Sequence, residues 1–186
     1  MNRAFTIVEL LIVIVVIAIL ATITIVSYNG ITKAAYNTQV LSGVRSHYDA
    51  IQMYYVVNHK YPQTQRELDG HSIAMTCLGK GYKDQTCGTV TGVVVYEDAA
   101  FNTQMEDFLG SATSPVSSIF LPVPGESYIG AVYGIDMSAA SSTGYARVIE
   151  YAVHGQDGDC GISEAWAYST SSSATACEIV IEEVDF

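Results

Sequence analysis

The segment FTIVELLIVIVVIAILATITIV at positions 5–26 constrains this chain more than anything after it. Every residue from Leu10 to Ala21 is apolar, and no charge follows Glu9 until Lys33. As a helix rising 1.5 Å per residue it spans about 33 Å, matching a bilayer hydrocarbon core of about 30 Å. It can therefore cross a membrane. Glu9 is the anomaly, because a carboxylate in such a run costs roughly 2.5–3.5 kcal/mol on insertion scales and needs a partner. A secretory signal peptide is a poor fit. Its apolar stretch is about 7–15 residues and ends at a small-residue cleavage site, whereas this run is longer and a helical pattern continues beyond it.

That continuation, SYNGITKAAYNTQVLSGVRSHYDAIQMYYVV, is amphipathic. Val40, Val44, Ile51 and Tyr55 fall on one side with Leu41, Tyr48 and Tyr54 beside them, while Lys33, Arg45 and Gln52 look outward. The pattern predicts one helical spine from about Phe5 to Val57. NHKYPQT closes it, since Pro62 disfavours helix at the residue before it. Asn29 and Gly30 interrupt the spine. Gly costs about 1 kcal/mol relative to Ala in a helix interior, and the β-branched residues before the pair hold helix only moderately well. The pair is read as a candidate hinge.

Past Tyr61 the periodicity changes. GTVTGVVVYED, ESYIGAVYGIDM, GYARVIEYAVHG and CEIVIEEVDF are rich in Val, Ile and Tyr and bounded by Gly, Ser or Asp. They predict an antiparallel sheet of about four strands laid on the second half of the spine. SATSPVSSIFLPVPGES and STSSSATA read as surface loops. A length of 186 residues suits one ordinary domain beyond the apolar segment. The expected fold class is α+β: a long N-terminal helix, half transmembrane and half amphipathic, packed on a β-rich head.

From Asp84 to Phe186 there are 15 acids against one base, Arg147, a formal −14. Such a surface repels phosphate backbones, which disfavours a nucleic-acid partner. The four cysteines, Cys77, Cys87, Cys160 and Cys177, suit two disulfides in an oxidising compartment. Three pairings exist on paper. Cys77 with Cys87 and Cys160 with Cys177 is preferred, because each closes a short local loop. Zinc is disfavoured, there being no CxxC pair and no histidine at ligand spacing. In HGQDGDCGISE, the residues Asp157, Asp159 and Glu164 form an acidic loop whose oxygens suit Ca²⁺; the spacing is not that of an EF-hand, and a plain acidic turn braced by Cys160 is the preferred reading. No GxSxG, HExxH or phosphate-binding glycine loop is present, so an enzyme is not expected.

FTIVELL at 5–11, the apolar run, the amphipathic continuation and YYVVNHKYPQT at 54–64 together resemble the type IV pilins and pseudopilins. The resemblance covers roughly the first 62 residues. It implies a leader of residues 1–4, removed by a prepilin peptidase between Ala4 and Phe5, and N-methylation of Phe5. Residues 5–29 then form the transmembrane and polymerisation half of the helix, 30–61 its amphipathic half, and 62–186 a disulfide-containing head. Ala4 stands where the family usually has Gly, and Val26 where many members have Pro. Glu9 gains a role: it would meet the free amine of a neighbouring subunit's Phe5, because pairing two charges in an apolar bundle relieves both and sets axial register. The implied protein is the major subunit of a pilus serving adhesion or twitching motility. A type II secretion pseudopilin or a minor, DNA-uptake pilin is the alternative. Implied partners are further pilin subunits, the peptidase, the inner-membrane platform protein and an assembly ATPase. The implied location is the membrane before assembly and the cell surface after it. Related pseudopilins also bind calcium in a C-terminal loop.

Overall fold

The structure is a computed structural model. It describes residues 6–90, 92–109, 121–123, 126–137, 141–142, 144–155, 159–170 and 173–184, without the side chains of 24–27 and 122–123. The chain divides into two compact units, Met1–Ala35 and Tyr36–Phe186. Helix α1 (Ile7–Asn58) contributes to both, and it is helical through Asn29 and Gly30.

In the second unit, the buried stripe of α1 is Tyr36, Val40, Val44, His47, Ile51 and Tyr54. The steps of 4, 4, 3, 4 and 3 follow the 3.6-residue period. Tyr55, expected on this stripe, is 42% exposed and stacks instead on Tyr61, with ring centroids 4.5 Å apart. His47, outside the expected set, takes the buried position between Val44 and Ile51.

After α1 come a short helix α2 (Gln65–Leu68), strand β1 (Ala74–Cys77), hairpin β2 (Thr86–Val90) and β3 (Val93–Tyr96), and helix α3 (Ala99–Leu109). Strands β4 (Leu121–Val123), β5 (Glu126–Tyr128), β6 (Ala131–Met137), β7 (Tyr145–His154), β8 (Ala165–Thr170) and β9 (Ala174–Glu183) complete the unit. They form two antiparallel sheets, β1-β6-β7-β9-β8 and β3-β2-β5-β4.

The α+β class holds, but a single sheet of about four strands does not: nine strands in two sheets are present among the described residues. GTVTGVVVYED is a hairpin rather than one strand, turning at Gly92, whose φ of +81° suits glycine. ESYIGAVYGIDM is cut in two, β5 joining one sheet and β6 the other. Part of each presumed loop is strand: Leu121–Val123 in one, and the end of β8 and start of β9 in the other. Helix α3 also escaped notice. Asp98 caps it, its Oδ1 accepting from Phe101 N–H at 3.0 Å while its Oδ2 accepts from Gln65 N–H at 2.6 Å. Phe101 and Met105 are its buried face.

Packing between α1 and the five-stranded sheet is explicit. The Asn37 side chain closes the end of β7, donating from Nδ2 to His154 O (3.0 Å) and accepting at Oδ1 from His154 N–H (2.8 Å). Arg45 donates to Gly161 O. Gly134 on β6 lets β1 approach, since a Cβ there would lie 2.0 Å from Ala74 O. The disulfide Cys77–Cys87 joins β1 to β2 and so ties the two sheets together, while Cys160–Cys177 ties the loop before β8 to β9.

The lone base of the acidic half is buried. Arg147 on β7 is 5% exposed; Nη2 and Nη1 donate to the two carboxylate oxygens of Glu67 (2.7 and 2.9 Å), and Nε donates to Glu182 (2.8 Å). Tyr133 Oη donates to Pro62 O at 2.7 Å beside it. Burial alone would raise the Glu67 carboxyl; the hydrogen bonds from Arg147 and Gln63 and the Arg147 charge outweigh it and hold the group below its ordinary value. This cluster fastens the segment after α1 onto the sheet.

Candidate functional site

The first unit is the opposite of a folded core. Every large apolar residue from Ile7 to Ile23 is between 48% and 85% exposed. By length and composition this part of α1 can cross a membrane. Water cannot be its resting environment, because burial of apolar surface yields about 25 cal/mol per Å². Lipid or other helices must cover it.

Glu9 sits in the first turn of α1 with a partner that sequence reading overlooked. Thr6 N–H and Thr6 Oγ1 both donate to Glu9 Oε2 (2.9 and 2.7 Å), and Glu9 N–H donates to Thr6 Oγ1 (3.2 Å). This is a reciprocal capping box, in which Thr6 and Glu9 satisfy orphan backbone donors at the helix start. The signal was present as Thr-x-x-Glu before an apolar run. Ala4 and Phe5 lie outside the described residues. Near the hinge candidate, Thr32 Oγ1 donates to Tyr28 O and Asn29 O, each at 3.1 Å. A Cβ at Gly30 would meet nothing within 4 Å, so no close neighbour demands glycine there.

The acidic loop is only partly described. Asp159 Oδ1 accepts from Gly161 N–H (2.9 Å) and Glu164 Oε2 accepts from Ser163 Oγ (2.7 Å), while Asp157 lies outside the described residues. Among the described residues, no group of three or more His, Cys, Asp or Glu stands together so as to hold a metal ion.

Residues 1–25 match the family model described as the prokaryotic N-terminal methylation motif. With that motif, an exposed apolar helix and a head of antiparallel sheets, the chain is similar to members of the pilin and pseudopilin class. Over 68 residues it is 33% identical to the Type II secretion system core protein G of Escherichia coli (strain K12), an alignment covering 37% of this chain and 47% of that protein. The chain thus spans about half the length of the curated relative it matches. No solved structure matches it.

Proposed function

We propose that the chain is a structural subunit, the major pilin of a type IV pilus, which waits in the inner membrane and polymerises through its N-terminal helix into a cell-surface filament for adhesion or twitching motility. The observation that carries this is the wholly exposed apolar stretch of α1 with one carboxylate in its first turn. Prepilin peptidase cleaves between Ala4 and Phe5, and the new Phe5 amine is methylated. The cut leaves Thr6 as the second residue of the mature chain, so the capping box survives processing and aims Glu9 at the helix start, where a neighbouring amine can share its charge. The head covers the outside of the filament. The platform protein and assembly ATPase act from the membrane and the cytoplasm. The role is structural, in keeping with the class, and the chain performs no catalysis.

A second reading has its own support. The similarity to a secretion-system core protein favours a pseudopilin, a short version of the same polymer that drives exported proteins outward. A deletion strain separates the two. Loss of surface filaments with secretion intact supports the pilus; loss of secretion with filaments intact replaces it with the pseudopilus.

A further inference from the structure

Four carboxyls meet where the two sheets face each other. Glu126 on β5, Asp136 on β6, Glu150 on β7 and Glu178 on β9 line a cavity of about 330 Å³ with Met137, Trp166 and Tyr168. Asp136, Glu150 and Glu178 are each at most 3% exposed. Glu150 and Glu178 stand directly opposite in register, and Trp166 opposite Glu178, to which its Nε1 donates at 3.1 Å. No lysine, arginine or histidine is among the lining residues. Arg147, three residues from Glu150 along β7, spends its guanidinium on Glu67 and Glu182. Burying carboxylates without a compensating charge costs several kcal/mol per ion.

Two tyrosine hydroxyls bridge the cluster. Tyr128 Oη lies 2.7 Å from Glu126 Oε2, 2.8 Å from Glu150 Oε2 and 2.6 Å from Tyr168 Oη, and Tyr168 Oη also bonds Glu126 Oε2. Each tyrosine has a single hydroxyl proton to donate. Tyr128 therefore cannot donate fully to Glu126 and Glu150 at once, and a carboxyl proton satisfies the second contact.

We propose that this cluster is a proton-binding site: at least one carboxyl proton, held between the sheets, helps clamp them together, and its loss as pH rises loosens the seam. The titratable groups facing one another across it are Glu126 and Tyr128 from the four-stranded sheet and Asp136, Glu150, Tyr168 and Glu178 from the five-stranded one. Burial, reinforced by Asp136 and Glu126, pushes the Glu150 carboxyl well up, and burial raises Asp136 to about 6. Both shifts are upward, so the folded head keeps protons that the unfolded chain releases. The stabilisation is complete below the ordinary carboxyl range near pH 4 and falls as pH rises through 6 and beyond. The Cys77–Cys87 bond keeps the sheets tied through β1 and β2, so loosening at the cluster does not separate them.

Trp166 is the chain's one tryptophan and lines the cavity, so its fluorescence reports on the seam. The test titrates the full-length protein in detergent micelles from pH 5 to 9, and measures with an indicator dye the protons released on denaturation at pH 7. Wild type is expected to show a red shift of Trp166 emission with a midpoint above pH 6, and to release about one proton or more per chain beyond Glu150→Gln. Emission that stays flat to pH 9, or equal release from the two proteins, overturns the proposal. Should Glu150→Gln not fold, the wild-type release decides alone, and no net release at pH 7 overturns it. Recovery of the pH 5 spectrum at pH 8 on adding calcium chloride also overturns it, since a metal ion and not protons would then be the bound cation.

Discussion

The two units solve the problem of a carboxylate in apolar surroundings in different ways. In the head, Glu67 is answered from within by Arg147, and the seam carboxyls share hydroxyl protons with Tyr128 and Tyr168. In the N-terminal unit, Glu9 has only Thr6 and its own helix start among the described residues, and the apolar residues around it are exposed. A domain that completes its own electrostatics is finished alone. A helix that leaves both an acid and an apolar surface uncovered is built to be completed by other molecules.

The largest expected effect breaks the contrast at its open end. Glu9→Ala should enter the membrane and be processed normally yet yield no filament, measured as sheared pilin against membrane pilin; normal yield would remove the register argument. Arg147→Ala should lose about 3–5 kcal/mol of head stability in urea, because it strands the partly buried Glu67 carboxylate, while Arg147→Met should lose less. Thr6→Val should lower helix stability by about 1 kcal/mol, and filament yield should fall less than in Glu9→Ala. If the two variants are equally defective, the cap rather than the charge of Glu9 is what assembly needs. The smallest effect concerns His47, whose Nδ1 lies 2.8 Å from Gly43 O and whose buried Nε2 has no partner among the described residues. Burial lowers its pKa below the ordinary 6.5, so the unfolded chain takes up this proton first as pH falls. Stability should decline below about pH 6.5 by at most about 1.4 kcal/mol per pH unit, a slope that His47→Leu should lack in denaturant titrations.

The helix was legible because its signals are local: an unbroken apolar run, a 3.6-residue stripe and a proline stop. Its start is equally local, in the Thr-x-x-Glu spacing of Thr6 and Glu9, but a carboxylate beside an apolar run also fits a distant partner, and the residue types alone do not separate the two. The head was harder. Its strands are short, and β5 and β6 are nearly continuous in sequence yet belong to different sheets, a choice made by long-range pairing. The short spacings between Cys77 and Cys87 and between Cys160 and Cys177 favour local bridges, and these are the bonds present. Arg147 carried a readable hint as the one base among fifteen acids. The seam carboxyls carried none, because Glu126, Asp136, Glu150 and Glu178 lie on four strands and meet only after folding.

The central claim is that the first helix is trimmed to expose an amine and then covered by copies of itself. N-terminal sequencing and intact mass of protein sheared from the cell surface test it most directly. The account predicts a first residue of N-methylated phenylalanine, Phe5, with the mass of a chain lacking residues 1–4. Sheared polymer that still begins at Met1 would contradict it.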